Sequence, residues 1–380
     1  MKIVYCLDNI QETGGIEKVI REKANFLAEK NGFEIYVVVS DFNPKLPLNL
    51  NDKIKFILLG INYYSSNCKS YLHFLYSITF KRLQHLTKLK KQFRNIKPDI
   101  IISPGLSEKF LLPLIKGKAK LIREYHFSKN YRKLAYSNCK LLYRIIASFA
   151  DFIDNRIFLK RYDSIVTLTQ EDKDENWRDY DNVIIINNPI SKMPAEGAVL
   201  ENKKIIAIGR LVRQKNFSSL IRAFSKVSPL YPDWTLEIYG EGNEKDILKK
   251  LIDELKMDGK VLLKGNVSNI DQKLLDSAFL VMSSKYEGMP MVLLEAMACG
   301  LPLLSYECPC GPKDLIGNNK NGLLIERDNE AELAEKMIFL IENENIRKEF
   351  GEESYKKAKD FTIDKIMEKW ETHFNHLLKP

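Results

Sequence analysis

Two glutamates, Glu287 and Glu295, are separated by seven residues in a segment that also contains Gly288 and Pro290. Glycine frees the backbone, and proline suits the first turn of a helix, where the N–H group that it lacks would have no partner. The pattern predicts a loop carrying Glu287 and then a helix carrying Glu295. Free N–H groups in the first turn of such a helix can donate to phosphate oxygens. The candidate ligand-binding backbone comprises Gly288, Met289, Pro290, Met291 and Val292.

Apolar residues surround Glu295 in the predicted helix, from Val292 to Ala298. Acids in apolar surroundings are rare unless they are paired or bind a ligand. A carboxylate here can accept hydrogen bonds from two vicinal hydroxyls, such as those of a ribose. The structural alternative is an amphipathic helix with one solvated glutamate, but it leaves the nearby glycine, proline and second acid unexplained.

Two cations, Arg210 and Lys215, follow Gly209 at the end of a predicted strand and before a predicted helix. Cations at a helix N-terminus suit an anion such as a diphosphate, although surface cations at a turn would show the same pattern. Gly240, in Y-G-E-G, also follows a strand and would permit close approach of a ligand. The loop Cys308–Asp314 follows a further strand of the same series.

The elements that must position these residues alternate between strand and helix along both halves of the chain. One series runs from Lys2–Leu7 to Val183–Asn187, with helices predicted around 71–97, 105–116, 131–160 and 170–178, and the second series begins at Lys204. Such alternation predicts an α/β protein with two Rossmann-like, doubly wound domains, whose strand ends face a central cleft. The predicted segments are an N-terminal domain at 1–190, a linker at 191–202, a C-terminal domain at 203–360 and a terminal amphipathic helix at 361–380.

The composition is that of a globular protein rather than a disordered, fibrous or membrane-spanning one. The chain has 380 residues, of which 45% are hydrophobic and 29% charged. No apolar run approaches the roughly 20 residues of a membrane span. The N-terminus has the pattern of a first strand rather than a secretion signal. Of six cysteines only Cys308 and Cys310 are close together, and without zinc-ligand spacing they indicate, with the rest, free thiols in a reducing cytosol.

Positive charge is concentrated in the first half of the chain. Residues 1–200 carry a net +11 and residues 201–380 a net −2. A predicted helix at 71–97 begins with aromatic and aliphatic residues and ends with seven cations and no acid between Lys81 and Lys97. This asymmetry favours an anionic partner, which could be a nucleic acid, a membrane surface or a phosphorylated substrate.

Together these motifs resemble those of the retaining glycosyltransferases of family 4, also called glycosyl transferases group 1, which have the GT-B fold. The resemblance is specific within 205–325, where G-R-L-x-x-Q-K-N, the two spaced glutamates and E-A-M-A-x-G-L-P stand in the order of the family. It extends more weakly to Gly14–Glu17, as an N-terminal glycine loop, and to Asn188–Ile190, as the crossing into the second domain.

The resemblance implies roles for individual residues. Arg210 and Lys215 would neutralise a nucleotide diphosphate, Glu295 would hold the ribose, and Glu287 would face the donor sugar. The backbone of 288–291 would bind sugar hydroxyls. Gly14 and Gly15 would approach the phosphates from the first domain. His126, in R-E-Y-H-F, matches the histidine near the transferred sugar by position, although a lone histidine is often structural. The terminal helix would cross back to the N-terminal domain.

The chemistry implied needs no cofactor and no metal ion. Negative charge grows on the leaving diphosphate, where fixed cations and helix N–H groups can stabilise it. Metal-dependent transferases often use Asp-x-Asp, which this chain has only at Asp172–Asp174 and Asp179–Asp181. Both pairs fall in a polar stretch for which we predict solvent exposure, so we expect no metal site there.

The predicted function is therefore transfer of a hexose or N-acetylhexosamine, with UDP preferred as carrier by family frequency. The expected acceptor is a glycan or lipid-linked glycan of bacterial polysaccharide or lipopolysaccharide synthesis. The expected location is the cytoplasm, with peripheral binding at the inner face of the plasma membrane. Two alternatives are a sugar-nucleotide 2-epimerase of similar architecture and a basic nucleic-acid-binding protein. The second would leave the motifs of the C-terminal half without a role, and we expect no nucleic-acid partner.

Overall fold

The structure, a computed structural model, describes most of the chain as two α/β halves. The residues described are 1–10, 14–43, 47–63, 71–105, 107–129, 141, 145, 148 and 152–379, without the side chains of 71–78 and 155. Each half contains one parallel sheet, of seven strands in the first and six in the second. The α/β architecture predicted from the alternation of strands and helices is confirmed.

The N-terminal sheet has the strand order β3-β2-β1-β4-β5-β6-β7. In chain order, β1 to β7 are Lys2–Leu7, Glu34–Val39, Lys55–Leu58, Ile100–Ser103, Lys120–Glu124, Ser164–Thr167 and Val183–Ile185. The described α-helices α1 to α4 are Gly15–Glu29, Tyr71–Ile96, Leu112–Ile115 and Gln170–Asn176, and short π and 3₁₀ turns occupy Asp154–Phe158 and Leu159–Arg161. The order reverses between β1 and β4, which is where a doubly wound sheet opens a crevice for ligands.

The C-terminal sheet repeats this plan with the order β10-β9-β8-β11-β12-β13. In chain order, β8 to β13 are Lys204–Ile208, Thr235–Tyr239, Val261–Gly265, Phe279–Met282, Leu303–Tyr306 and Gly322–Ile325. Helices α5 to α11 are Phe217–Val227, Lys245–Glu254, Ile270–Leu275, Met291–Ala298, Pro312–Leu315, Glu330–Glu342 and Glu344–Ala358, followed by a 3₁₀ turn at Lys359–Phe361. Here the order reverses between β8 and β11, so the loops that follow these strands border the crevice.

The chain passes between the two halves twice, at Ile190 and at Thr362, and the two crossings lie side by side. Ile190 donates its N–H to the carbonyl of Phe361 at 2.7 Å, and its own carbonyl accepts from Ile363 N–H at 3.2 Å. Helix α12, Ile363–Leu378, follows the second crossing. Its buried face, which includes Trp370, belongs to the core of the N-terminal sheet.

Three segments differ from the sequence predictions or lie outside the structure. The stretch 191–202 is packed on the C-terminal half, because Leu200 is buried in its core. The helix predicted at 105–116 is reduced to Leu112–Ile115, where a proline occupies the first turn. The helix predicted at 131–160 falls mostly outside the described residues. None of the described helices is both long and apolar enough to cross a membrane.

Candidate functional site

The loop between β11 and α8 joins the two halves of the molecule. Gly288 in this loop forms an antiparallel bridge with Phe127, which follows β5 of the N-terminal sheet. A Cβ atom on Gly288 would lie only 2.1 Å from the carbonyl oxygen of His126. Only glycine therefore allows this approach. It brings the backbone of His126 against the loop that carries Glu287.

Lys215 and Glu287 form an ion pair at the same place, with Nζ and Oε1 2.6 Å apart. Their side chains are 18% and 9% exposed. Two hydrogen bonds hold their loops together: Gln214 Nε2 donates to the carbonyl of Tyr286 at 2.7 Å, and Ser283 Oγ donates to the carbonyl of Lys215 at 2.9 Å. The predicted diphosphate cation and the predicted sugar-facing acid are thus direct neighbours.

Gly209 and Gly240 shape the adjoining edge of the crevice. Gly240 has φ +138°, and a Cβ atom there would lie 2.0 Å from the carbonyl oxygen of Gly209. The two strand ends consequently lie closer than side chains would permit. Arg210 is exposed beside them. Burial raises the pKa of the Tyr286 phenol, and the nearby positive charge of Arg210 opposes this rise.

Helix α8 begins at Met291 after Pro290, and no side chain caps it. Leu293 donates its N–H to the carbonyl of Pro290 at 3.0 Å, whereas the N–H groups that precede it at a helix start have no intrahelical acceptor. The glycine loop of the N-terminal half lies opposite, because a Cβ on Gly15 would be 3.6 Å from Met291 Cγ. The uncapped turn carries partial positive charge and, with Lys215, suits a bound anion.

Glu295, in the middle of α8, is paired across the cleft with Lys18 of α1. The distance from Lys18 Nζ to Glu295 Oε1 is 2.7 Å, and the glutamate side chain is 19% exposed. Burial lowers the pKa of Lys18, but the charge and hydrogen bond of Glu295 outweigh it and raise that pKa overall. The carboxylate has apolar neighbours, as the sequence predicts, and remains open to a ligand.

His126 lies at the carboxyl end of the N-terminal sheet, next to two buried charges. Its Nε2 is 3.2 Å from Oε1 of Glu124, and Glu124 forms an ion pair with Lys23. Burial alone would raise the pKa of Glu124, but Lys23 and then His126 lower it to about 2. Glu124 therefore carries a negative charge beneath the histidine at neutral pH.

The loop Cys308–Asp314 packs against the loop that carries Glu287 and Pro290. The carbonyl of Pro309 accepts from the N–H of Glu287 at 3.1 Å. Gly311 has φ +107°, and a Cβ atom there would lie 2.4 Å from the ring of Pro290. Asp314 then accepts the N–H of Gln170 at 2.7 Å, so that the loop also contacts the N-terminal half.

The solvent exposure predicted for the Asp-x-Asp pairs is wrong for Asp172, whereas Asp174, Asp179 and Asp181 are exposed. Asp172 is only 2% exposed. It accepts hydrogen bonds from Thr167 Oγ1 at 2.8 Å and Trp177 Nε1 at 2.7 Å, because α4 folds back onto the end of β6. Within the described residues, no group of three or more His, Cys, Asp or Glu side chains could hold a metal ion.

Three charged residues of the site, Lys18, Lys23 and Glu124, were not predicted from the sequence. Its position in the sequence could have identified Lys23, since it falls on the buried face of α1 between Val19 and Leu27. A lysine on a buried stripe requires a partner. Nothing in the sequence identified Glu124 as that partner, because the pairing is long-range.

Comparisons with known proteins match the whole length of the chain. The profile "Glycosyltransferase Family 4" matches residues 13–192, and the profile "Glycosyl transferases group 1" matches residues 191–357. An uncharacterized glycosyltransferase of Haemophilus influenzae is 30% identical over 373 residues, which are 97% of this chain and 98% of that protein.

Another relative is an N-acetylgalactosamine-N,N'-diacetylbacillosaminyl-diphospho-undecaprenol 4-alpha-N-acetylgalactosaminyltransferase of Campylobacter jejuni. It is 35% identical over 185 residues, 49% of this chain and 50% of that protein. Three further curated relatives are matched over only 24% to 44% of their own length, whereas two others are matched over 99% and 82%.

Among solved structures, S. aureus TarM in complex with Fondaparinux, alpha-GlcNAc-glycerol and UDP superposes with a TM-score of 0.77 at 17% identity. The match covers 98% of this chain and 99% of that one. At this identity the likeness concerns the fold, and it confirms the predicted arrangement of two Rossmann-like domains.

Proposed function

The chain belongs to the glycosyltransferases of group 1 and family 4 and has the GT-B fold, and we propose that it uses a nucleotide sugar, with UDP as the expected carrier. It would transfer a hexose or N-acetylhexosamine with retention of the anomeric configuration. The observation that carries the proposal is the Lys215–Glu287 pair beside the uncapped start of α8. It places a cation and helix N–H groups, which suit a diphosphate, next to a carboxylate that can accept hydrogen bonds from a sugar.

The proposed mechanism depends on charge at the leaving group. As the bond between the anomeric carbon and the phosphate oxygen breaks, positive charge grows on the sugar and negative charge on the diphosphate. Lys215, Arg210 and the first turn of α8 stabilise the departing diphosphate in a preorganised site. The acceptor hydroxyl attacks from the same face, and its proton passes to the leaving phosphate oxygen. No step requires a metal ion.

The remaining residues hold the donor. Lys215 has three N–H donors, so it can keep its contact with Glu287 and still donate to a phosphate oxygen. Glu287 and His126 face the transferred sugar, and the backbone of 288–292 binds its hydroxyls. Glu295 accepts hydrogen bonds from the ribose hydroxyls. Because Lys18 is already paired with this carboxylate, Lys18 must either share it with the ribose or move away.

A screen of nucleotide sugars tests the proposal. The protein is incubated with UDP- and GDP-linked hexoses and N-acetylhexosamines, and release of free UDP or GDP is measured. We expect slow hydrolysis of one donor class, and NMR of the product formed on an added acceptor shows the retained anomer. Release of neither nucleotide would contradict donor use, and conversion of the sugar nucleotide into its 2-epimer would favour the epimerase.

The proposed acceptor is a lipid-linked or membrane-anchored glycan at the inner face of a bacterial envelope. Two observations support it. The Campylobacter relative is named for an acceptor joined to diphospho-undecaprenol. In this chain, Phe80 and Leu83 of α2 are each 58% exposed next to the basic end of the helix. The side chains of 71–78, which form the aromatic and aliphatic start of this helix in the sequence, lie outside the described residues.

Not every cation of α2 is available to a membrane. Lys81 and Lys88 donate to main-chain carbonyls of Asn62 and Leu59. Exposed cations of α2 include Arg82 beside Leu83 and Lys90, Lys91 and Arg94 at the helix end, and each can contribute about 1 kcal/mol at an anionic surface.

Charge reversal on this helix tests membrane binding. Lys90→Glu, Lys91→Glu and Arg94→Glu combined should abolish co-sedimentation with anionic vesicles, because attraction becomes repulsion. The matched control reverses three exposed cations of the C-terminal half, Arg222, Lys249 and Lys250, and should bind as the wild type does. Equal binding to neutral and anionic vesicles, or to neither, would remove the electrostatic membrane proposal.

A further inference from the structure

One ion pair of the cleft joins the two halves of the molecule. Lys18 of α1 places its Nζ 2.7 Å from Oε1 of Glu295 in α8, and the lysine side chain is 39% exposed. The Lys215–Glu287 pair, by contrast, lies within the C-terminal half. Lys18 is thus a cation that the N-terminal half extends to an acid of the C-terminal half.

The stability of α1 does not explain a lysine at this position. The helix begins at Gly15, so that Lys18 falls in its first turn, and no side chain caps this end. The first turn of a helix carries partial positive charge, which favours acids and disfavours cations. A neutral or acidic residue would therefore suit α1 better than Lys18, which points to a role for the lysine in the cleft.

Lys18 lies among three acids that border the cleft. Burial lowers its pKa, but Glu295, Glu22 and Asp271 together raise that pKa overall. Glu22 follows one turn along α1 and accepts from Ser191 Oγ at 2.5 Å, while its Oε2 is buried without a hydrogen-bond partner. Burial raises the pKa of Glu22, and Lys18 is one of the groups that oppose this rise. Lys18 therefore offsets the negative charge of more than one carboxylate.

A nucleotide diphosphate places conflicting demands on this part of the cleft. Its ribose hydroxyls donate hydrogen bonds and need a carboxylate, whereas its phosphates are repelled by every carboxylate nearby. Repulsion between like charges is screened less in a partly buried site than in bulk water. An ammonium group beside Glu295 reduces this repulsion. It also leaves room for the ribose, because Lys18 donates to Oε1 and a carboxylate accepts at two oxygens.

We propose that Lys18 is a specificity-determining residue for the donor, which shares Glu295 with the ribose and makes this carboxylate compatible with a diphosphate. The inference rests on the proposed function, because it takes Glu295 as the ribose acceptor. It predicts that Lys18 favours a nucleoside diphosphate over the uncharged nucleoside. If the ribose instead displaced Lys18 from Glu295, removal of the lysine would tighten the binding of both ligands.

Two variants of Lys18 and one matched control separate charge from structure. Lys18→Met removes the charge and keeps most of the side-chain length, whereas Lys18→Arg keeps the charge. The control is Lys30→Met, at the far end of the same helix. Lys30 is 40% exposed and pairs with Glu371 of α12, but it lies about 18 Å from Lys18 along the helix axis. Thermal unfolding shows whether each variant is folded before its affinity is measured.

Calorimetric titration of UDP and uridine measures the selectivity, which is the Kd for uridine divided by the Kd for UDP. GDP and guanosine replace them if the wild type prefers guanine. Lys18→Met should lower this ratio about tenfold, through weaker binding of UDP, because the lost charge acts on the charged ligand. Lys18→Arg and Lys30→Met should keep the ratio of the wild type.

An unchanged or higher ratio in Lys18→Met would overturn the role of Lys18, and so would tighter binding of both ligands. An equally large fall in Lys18→Arg or in Lys30→Met would overturn it as well, because the effect would then not come from the charge at position 18. Failure of the proposed function is distinguishable. A wild type that binds neither UDP nor GDP removes the proposed function and the inference together, whereas nucleotide binding with an unchanged ratio removes the inference alone.

Discussion

The two halves present opposite kinds of chemistry to the cleft. The C-terminal half offers closely packed glycine turns, an uncapped helix start and the acids Glu287 and Glu295, each paired with a lysine. The N-terminal half offers buried carboxylates, Glu108, Glu124 and Asp172, each of which already has a partner within that half. The first arrangement can exchange its partners for a ligand, and the second cannot do so without leaving a buried charge unpaired.

This difference indicates a division of labour. Under the proposed function, donor groups would be recognised by residues that are partly exposed and can change partners, whereas the N-terminal half would supply a buried frame for His126. Loss of a C-terminal residue should therefore change turnover or affinity, and loss of a buried N-terminal charge should also change stability.

The largest expected effect is on the cations of the C-terminal half. Lys215→Ala should lower turnover about 100-fold, since one preorganised group at the developing charge contributes about 3 kcal/mol. Arg210→Ala should lower it about tenfold, because solvent screens an exposed charge. Steady-state release of the nucleotide measures both. Lys245→Ala removes the similarly charged but exposed partner of Glu241 and should leave turnover unchanged, and near-normal rates in both test variants would defeat the donor-site assignment.

The two glutamates should differ in which constant they affect. Glu287→Ala should lower the single-turnover rate more than donor affinity, because we propose that Glu287 faces the reacting sugar. Glu295→Ala should weaken donor binding, with a smaller effect on the rate, because the ribose loses its acceptor. Dissociation constants and single-turnover rates separate the two. Exchanged phenotypes would show that the roles are reversed.

The smallest effect concerns stability rather than turnover. Burial, and then the charge of Asp8, raises the pKa of Glu108 to about 7 from its ordinary 4.5. The stability that the protonated form provides is complete below the unfolded-state pKa and is lost as pH rises through about 7, a loss of up to about 3 kcal/mol by pH 8.

Glu108→Gln should remove this pH dependence, so that it is more stable than the wild type at pH 8 but not at pH 4. Urea midpoints measured across that range test it. The exposed substitution Glu335→Gln should follow the wild-type curve. If Glu108→Gln and the wild type lose stability in parallel as pH rises, Glu108 is not the group responsible.

The sequence predicted the C-terminal site better than the N-terminal one for a physical reason. Glu287, Gly288 and Glu295 act through local geometry, since a turn and a helix start are set by neighbouring residues. Lys23 and Glu124 act through a pairing between a helix and a strand that only the folded sheet brings together. Asp172 likewise lies in a polar stretch of the sequence, and it is buried only because α4 packs against the end of β6 in the folded protein.

The central claim is that Lys215 and the start of α8 form a metal-independent nucleotide site, and calorimetric titration of UDP and GDP in the presence of EDTA tests it most directly. We expect one nucleotide to bind per chain of the wild type and Lys215→Ala to bind about tenfold or more weakly. Equal affinity in the two proteins, or wild-type binding that occurs only after Mg²⁺ or Mn²⁺ is added in place of EDTA, would contradict it.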